Sequence, residues 1–440
     1  MSSPLRSLLG LTVLALLILP VGAADGLALP SPLSLTAAKR IARQGNPSIA
    51  ASEARIEAAL AVIREAAAAY YPTVSVSASA IHYHSRPTGF GTERAESYGL
   101  DATLSYLVFD GFARKFRVLA AEAGAEAGRE AEREASRLLL RAVAAAYYDC
   151  LLGREAMLVA QRDAEFNREL SAETQKRFQA GAAARSDVLN FEIRTTAAES
   201  QQVQSAYEYQ IARIVLAQLM GLPRETSPEL IAPAPLPEVQ GELPLPALDA
   251  ELDYALNHRP DYRQIEERID QLKATQSAVR GSYLPTVGVQ GGYGWSREDN
   301  PRFNDSRDAT AYVGAQLTWD LYTGGSTQAQ VARYQAEILA AKHEQALSSQ
   351  AIMAELRQLV EAAQVAKTQV ELQTRIEAMT EEARKLVRNE YLAGRASLTR
   401  LNEAQTDLVR AAGNLARARI LYWKVIEETA AASAKNLVEQ

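Results

Sequence analysis

The sequence predicts a mainly helical protein that carries four β-strands of the transmembrane type and consists of two copies of one unit. Three observations predict this fold. The chain matches itself when it is shifted by 213 residues, which places Pro47 on Pro260. Two long segments contain no proline and are compatible with continuous helices. Four short segments alternate apolar and polar residues, as β-strands with two different faces do.

Composition excludes several classes of protein. The chain has 440 residues, of which 48% are hydrophobic and 23% charged, with a mean hydropathy of -0.17. These values exclude a helical membrane protein with many spans and a disordered chain. A formal net charge of -6 argues against a nucleic-acid-binding domain, which would need a basic surface. The one cysteine, Cys150, permits neither an intrachain disulfide nor a multi-cysteine metal site.

The N-terminus has the layout of a secretory signal peptide. Arg6 precedes an apolar run over residues 8–19, and the small residues Gly22, Ala23 and Ala24 follow. We expect residues 1–23 to be removed. The alternative is a transmembrane anchor, but the run is shorter than the roughly 20 residues that a spanning helix needs. Since no cysteine stands directly after the cleavage site, we expect an exported chain without a lipid anchor.

The internal repeat defines the domains. The same shift places Tyr70 on Tyr283 and the segment Pro72-Thr73-Val74 on Pro285-Thr286-Val287. Proline and glycine mark where elements begin and end, so their agreement in one register indicates a duplicated fold. We expect a first repeat over residues 24–221 and a second over 248–440. The segment 222–247 between them contains seven prolines, which forbid a continuous helix.

Each repeat begins with a helix and continues with two strands. Residues 47–70 and 260–283 are rich in helix-forming residues, and the prolines at 72 and 285 end those helices. Strands are expected at about 73–109 and at about 286–321, where apolar and polar residues alternate. The following residues are expected to face the membrane: Val74, Val76, Leu104, Tyr106, Val287, Val289, Leu317 and Trp319.

A soluble antiparallel sheet would show the same alternation. Two features favour the membrane: the loops at 85–97 and 296–307 are rich in charged and turn-forming residues, and the polar faces carry mostly Ser, Thr, Gly and Gln. Such small polar residues suit a water-filled interior. Four strands cannot close a barrel, since about eight is the smallest number whose interior side chains can fill. Closure therefore requires several chains.

A long helix follows the strands in each repeat. Residues 112–178 and 326–391 contain no proline, so each can form one helix of about 100 Å. In the first, Ala146, Cys150, Gly153, Met157, Ala160 and Ala164 recur at the spacings of a coiled-coil seam. Gly181 and Gly394 are expected to end these helices at hairpin tips. Return helices are expected at 186–220 and from 397 to about 430.

The order of these segments and their duplication resemble those of the TolC-type outer-membrane efflux proteins. This resemblance covers about residues 33–430 and implies a homotrimer with a twelve-stranded barrel in the outer membrane, continued by a tunnel of twelve helices across the periplasm. It also implies that the hairpin tips dock onto a periplasmic adaptor protein and an inner-membrane pump. The motifs that carry it are Asn46-Pro47, Tyr71-Pro72-Thr73-Val74, Phe109-Asp110-Gly111, Arg259-Pro260-Asp261, Leu284-Pro285-Thr286-Val287 and Tyr322-Thr323-Gly324-Gly325.

The resemblance also implies a gate at the periplasmic end. Matching on the hairpin glycines, a linking aspartate of the family corresponds to Asp187 and its tyrosine partner to Tyr391. Two acidic ring positions correspond to Arg400 and Glu403. The chain departs from the family at Arg400, which would counter the attraction of Glu403 for cations.

No motif indicates an enzyme, a cofactor or a nucleic-acid partner. His82 and His84 share a strand face, but no third metal ligand accompanies them in the sequence. The predicted function is a passive exit duct of a tripartite efflux pump or a type I secretion system. The alternative is a periplasmic coiled-coil adaptor, which should have one helical hairpin instead of two hairpins and four strands.

Overall fold

The computed structural model describes residues 30–85, 93–223, 225–236, 242–298 and 300–438, so the predicted signal peptide lies outside the described residues. Helices in these segments greatly outnumber strands. Their bounds are α1 Leu35–Gly45, α2 Pro47–Ala68, α3 Ala113–Gln179, α4 Arg185–Leu219, α5 Leu248–His258, α6 Pro260–Arg280, α7 Asp305–Asp308, α8 Ser326–Leu392 and α9 Leu398–Ala432. The strands are β1 Thr73–Ser85, β2 Glu93–Asp110, β3 Thr286–Glu298 and β4 Ala309–Thr318.

The two halves of the chain contain the same series of elements. Both long helices have 67 residues and both return helices have 35, and each begins 213 positions after its counterpart. The short helices α1 and α5, of 11 residues each, also correspond. Neither of these two helices was predicted from the sequence. Helix α1 starts at the N-cap Ser34, whose side chain accepts a hydrogen bond from the Ala37 amide.

The four strands form one antiparallel sheet in the order β1-β2-β3-β4. A register shift between Leu107 and Phe109 marks a β-bulge near the end of β2. The inner strands are paired on both sides, whereas β1 and β4 each leave one edge unpaired within the protomer. Strand β4 ends at Thr318, three residues before the predicted end, so Trp319 lies just beyond the strand.

Each long helix forms a hairpin with its return helix, and the hairpin tips lie at the far end of the long helices from the sheet. Helices α3 and α4 form the first hairpin, and α8 and α9 the second. Gly181 and Gly394 follow the long helices with φ angles of 74° and 73°, which glycine adopts without strain. At both tips the amide three residues beyond the last helical residue donates a hydrogen bond back into the helix, Ala182 to Arg177 O and Arg395 to Glu390 O.

In each repeat, the residue before the first proline of α2 or α6 bonds to the end of the return helix. Asn46 Nδ2 donates a hydrogen bond to Leu219 O at the end of α4, at 2.8 Å. Arg259 Nη1 donates to Ala432 O at the end of α9, at 2.9 Å. These contacts occupy equivalent positions in the two repeats. They satisfy carbonyl groups that a helix end leaves free, which explains why the Asn46-Pro47 and Arg259-Pro260 motifs recur.

The largest core lies midway along α3 and joins α1, α3, α4 and the segment before α5. The Tyr147 hydroxyl donates to Leu33 O at 3.0 Å, and Leu33 pairs with Pro233. Burial raises the pKa of Cys150 to about 11, so its thiol stays protonated and acts as a packing group. Over the part of the chain that the structure describes, no helix is both long enough and apolar enough to cross a membrane.

Candidate functional site

One face of the sheet is apolar and exposed. Val74 lies opposite Leu104, and Tyr106 lies opposite Val289. Since residues directly opposite each other point to the same side of a sheet, the predicted residues that lie within the strands share one face, and only Trp319 lies outside them. Val74 and Val76 are 70% and 71% exposed in the protomer. An apolar face that is this open requires an apolar surrounding or a partner.

The bulge in β2 changes which residue continues this face. Without it, the alternation would place Val108 opposite Val287. The extra residue instead places Phe109 opposite Val287, and Val287 lies opposite Leu317. An aromatic ring therefore continues the apolar face to the end of the strand.

The opposite face of the sheet is polar. Thr73 Oγ1 and Ser105 Oγ lie 2.6 Å apart across the first strand pair. Further along, the Asp101 carboxylate lies against Gly294, where a Cβ atom would stand 2.1 Å from Asp101 Oδ1. Gly294 therefore provides room for a charged group on this face. Such a surface suits contact with water, as the alternation predicts.

Aromatic side chains surround the strand–helix junctions. Trp319 lies here, beyond β4, and its Nε1 donates a hydrogen bond to Tyr283 O at 3.1 Å. Such a belt is typical of the boundary between apolar and aqueous surroundings, because these rings have an apolar body and most have a polar end. The exposed members are Tyr70, Tyr71, Phe112, Tyr283, Trp319 and Tyr322.

The first strand–helix junction is held by a buried ion pair. The Asp110 carboxylate accepts a hydrogen bond from the Arg114 amide at 2.8 Å, and Arg114 Nη2 donates to Val108 O at 3.0 Å. Between them, Gly111 passes so close to Gly281 that a Cβ atom would stand 2.2 Å from Gly281 O. These contacts explain the Phe-Asp-Gly motif.

At the other end of the sheet, His82 Nδ1 lies 3.6 Å from Glu96 Oε1. The Tyr98 hydroxyl donates to Glu96 Oε2 at 2.9 Å. Nowhere in the described ranges do three or more His, Cys, Asp or Glu side chains meet in a way that could hold a metal ion.

The predicted gate residues lie near the hairpin tips, but the contacts within the described protomer do not link them to one another. Asp187 Oδ2 accepts a 3.4 Å hydrogen bond from the Ala184 amide in its own helix cap. The ring of Tyr391 lies 5.6 Å from the Arg177 guanidinium carbon. Arg400 pairs with Glu390 at 3.6 Å. The link between Asp187 and Tyr391 is thus not formed within the described protomer and stays a prediction for an assembly.

Comparison with known proteins identifies the family. The sequence profile of the family described as "Outer membrane efflux protein" matches residues 40–222 and 252–422, which cover most of each predicted repeat. The chain belongs to the outer membrane efflux protein family. This confirms the resemblance that the motifs predicted, and the fold of the chain matches that of solved outer-membrane channels.

The chain is similar to two curated bacterial proteins. It is 26% identical over 326 residues to protein CyaE of Bordetella pertussis, covering 73% of this chain and 66% of the relative. It is 30% identical over 193 residues to the alkaline protease secretion protein AprF of Pseudomonas aeruginosa, covering 43% of this chain and 39% of the relative. The chain therefore spans less than two thirds of either relative.

A solved structure of the outer-membrane channel OprN has the same fold. The two chains superpose with a TM-score of 0.77 at 22% sequence identity, over 91% of the efflux protein and 89% of the channel. The two hairpins and four strands of the efflux protein disfavour the alternative prediction of a coiled-coil adaptor, for which one hairpin would be expected.

One buried cluster near the hairpin tips was not predicted from the sequence. Near the tips, Leu170 of α3, Phe191 of α4, Val387 of α8 and Leu401 of α9 form a buried cluster. The coiled-coil seam predicted on α3 ended at Ala164. Continuing its alternation of four and three reaches Asn167, Ser171 and Thr174, whereas the buried residue in the cluster is Leu170. The regular repeat therefore does not locate the cluster by itself.

Proposed function

We propose that the protein is the exit duct of a tripartite efflux pump or type I secretion system. It passively conducts substrates from an inner-membrane pump and its periplasmic adaptor to the exterior. One observation carries this proposal: a sheet with an exposed apolar face and a polar face is continuous with two long helical hairpins. Membership of the outer membrane efflux protein family supports it.

The working unit is a homotrimer. Each chain contributes a four-stranded sheet whose edges, β1 and β4, are both free to pair. Three chains give twelve strands, enough to close a barrel with an aqueous interior, whereas a single sheet cannot close. The hairpins of the three chains then continue the barrel as a tunnel of helices.

In this proposal, the protein lies in the outer membrane and extends into the periplasm. The apolar face meets lipid, and the exposed aromatic belt lies at the periplasmic boundary of the membrane. Export depends on the signal peptide at residues 1–23, and anchoring needs no lipid. The hairpin tips at Gly181 and Gly394 contact the adaptor.

The cargo is determined by the pump, because the polar face of the sheet carries small residues with no specific site. Similarity to AprF, whose name refers to protease secretion, supports a role in protein export. Similarity to OprN, named as an outer-membrane channel, is equally compatible with small solutes. Capturing the inner-membrane partner by crosslinking separates these two cargo classes.

The tunnel entrance lies at the hairpin tips, with Asp187, Tyr391, Arg400 and Glu403 as gate residues. Glu403 is exposed, and three copies around a narrow axis would attract cations, which three copies of Arg400 oppose. We expect Asp187→Asn to raise the single-channel conductance in planar bilayers, because it removes a charged partner at the closed tip. An unchanged conductance together with an unchanged closed structure would exclude this role.

Membrane fractionation tests the proposed function. The protein should be recovered from the outer membrane as an oligomer whose gel mobility changes on heating, and it should form ion-conducting channels in planar bilayers. Recovery of an unlipidated monomer from the soluble periplasm would contradict the proposal and favour the adaptor alternative.

A further inference from the structure

We propose that the junction between β2 and α3 binds one anionic phospholipid of the periplasmic leaflet, with Phe112 against its acyl chains and Lys115 against its phosphate. This inference rests on the proposed placement in the outer membrane. It deepens that placement, because it assigns one lipid class to one of the two equivalent strand–helix junctions of the protomer. The lipid patch is defined as Phe109, Phe112 and Lys115.

Phe112 lies at the end of the apolar sheet face. Its ring meets the ring of Phe109 edge to face, with the two centroids 5.4 Å apart. The β-bulge places Phe109 opposite Val287, on the apolar face. Phe112 is 57% exposed in the protomer. The ring therefore continues the apolar face past the end of β2, and much of its surface is open to a lipid neighbour.

The backbone of Phe112 is strained. Its φ angle is 67°, in the left-handed region that favours glycine. The equivalent residue of the second repeat is Gly325, with a φ angle of 82°. Both junctions therefore make a left-handed turn, and a glycine would make it without strain in the first repeat as well. An exposed ring at a strained position indicates a contact outside the protomer that offsets the strain.

Lys115 is an unpaired positive charge next to this ring. It is exposed, and its ammonium group has no hydrogen bond or ion pair within the described ranges. It follows Phe112 by three residues, a spacing that places side chains on the same side of a helix. Arg114, which stands between them, is buried and already donates to Val108 O. The first turn of α3 contains no acidic residue, and the helix dipole disfavours a cation there. An anion from outside the chain would therefore be stabilised beside Lys115.

The order of these groups matches a phospholipid. The ring stands on the membrane side, and the lysine follows about 5 Å toward the periplasm, as a phosphate follows acyl chains in the periplasmic leaflet. A free phosphate would contact Lys115 but leave the ring exposed. A lipid without net charge would cover the ring but attract the ammonium group more weakly. The second junction has Gly325 and Gln328 at these positions and therefore lacks the patch.

Replacing the patch with the residues of the second junction tests this inference. The variant Phe112→Gly/Lys115→Gln keeps the turn and loses both lipid contacts. The full-length proteins would be given phosphatidylglycerol or phosphatidylcholine, and the retained lipid would be counted by native mass spectrometry. We expect the wild-type preference for phosphatidylglycerol to exceed that of the variant about fivefold, the contribution of one lysine beside an anionic headgroup. Equal preferences would overturn the inference.

The reverse exchange supplies the second arm. A Cβ atom at Gly325 would meet no atom within 4 Å apart from those of its chain neighbours, so the second junction has room for a ring. In Gly325→Phe/Gln328→Lys we expect one additional phosphatidylglycerol for each chain. An assembled channel of this variant that retains no additional lipid would contradict the inference. Should this variant fail to assemble, the loss measured in the first variant decides the question.

Arg117→Gln is the matched control. Arg117 is also exposed, but it lies two residues beyond Lys115 and therefore on a different side of α3. Removing this charge should leave the lipid preference unchanged, and an equal loss would indicate a general effect of charge and overturn the inference. Inorganic phosphate at constant ionic strength should not displace the lipid. Displacement would indicate a site for free phosphate and would likewise overturn it.

Failure of this inference can be told apart from failure of the proposed function. A channel that fractionates with the outer membrane but shows no lipid preference overturns the inference alone. A protein recovered as a soluble monomer contradicts the exit duct. The lipid patch is then judged by sedimentation of the wild type and of Phe112→Gly/Lys115→Gln with phosphatidylglycerol vesicles, where equal binding of the two proteins would overturn it.

Discussion

At the scale of single residues, the two hairpins carry opposite charges at equivalent positions. Arg177 and Asp187 in the first correspond to Glu390 and Arg400 in the second, each pair separated by 213 residues. Glu390 and Arg400 form an ion pair across their own tip. Arg400 therefore has a local partner in this chain. In the proposed trimer, the two kinds of tip alternate around the entrance, so opposite charges alternate with them.

A second residue-scale feature is a group of carboxylates between α3 and α6. Partial burial and the nearby charges of Asp270, Glu126, Glu130 and Glu266 raise the pKa of Glu267. A raised pKa in the folded state means that the folded protein binds the proton more tightly than the unfolded chain does. Ionised Glu267 therefore destabilises the fold at neutral pH.

We expect Glu267→Gln to raise the thermal transition temperature at pH 7. The gain should shrink as the pH falls through the raised pKa of Glu267, and it should vanish below the pKa of about 4.3 of an unfolded glutamate. Scanning calorimetry from pH 4 to pH 8 would measure it. Gln264→Asn, at an exposed position on the same helix, provides a control with no expected pH dependence. A gain that is constant over this range would contradict the electrostatic cause.

At the scale of elements, the sequence predicted the long and return helices well and the smaller features less well. Glycine or proline lies near both ends of α3, α4 and α8 and near the start of α9, so these bounds follow from local chemistry. The bulge before Phe109 and the buried cluster around Phe191 depend on neighbouring elements. Periodicity shows which face of a helix is buried, but it does not show which helix covers that face.

Helix α9 depends on Arg259 for its end. The buried guanidinium bonds to Ala432 O, to Asp261 and to Glu355. Burial by itself would raise the pKa of Asp261, but the hydrogen bond and charge of Arg259 hold it below its usual value. This pairing is part of the contact between the end of the chain and α6.

We expect Arg259→Ala to lower the free energy of unfolding by about 3 kcal/mol, since it leaves the Asp261 carboxylate and the Ala432 carbonyl without their partner, whereas Glu355 keeps its ion pair with Arg141. Proteolysis should then remove the segment after α9 faster than in the wild type. Arg268→Ala breaks an exposed ion pair with Glu344 and should cost about 0–1 kcal/mol. Equal effects of the two substitutions would show that the Arg259 contacts do not hold the helix end.

The two faces of β1 supply a matched pair of substitutions. Val76→Arg places a charge on the apolar face and should reduce assembly, because a cation facing lipid costs about 2–4 kcal/mol at the middle of a bilayer. Ser77→Arg, on the polar face, should be tolerated. The yield of heat-modifiable oligomer in outer-membrane fractions measures both. A larger loss from Ser77→Arg would mean that the sheet faces the other way.

At the scale of the whole molecule, the mean hydropathy of the sequence does not reveal the apolar sheet face that characterises the protein. A mean hydropathy of -0.17 describes an ordinary water-soluble chain. The structure shows why: the apolar face belongs to four strands, half of whose residues point to the polar side, and the remaining length is mostly amphipathic helix. The sheet closes only when several copies of the chain assemble. A single chain indicates this through the two strand edges that it leaves unpaired.

The most direct test of the account is to count the chains that close the barrel. Cysteines at Ser77 of β1 and, in turn, at the polar-face residues Thr310, Tyr312, Gly314 and Gln316 of β4 would be oxidised in outer membranes. Within one chain, β1 and β4 are three strand spacings apart, about 14 Å, too far for a disulfide. We predict a ladder on a denaturing gel that ends at three chains. No linkage at any register, or a ladder that continues beyond three, would contradict the proposed trimer.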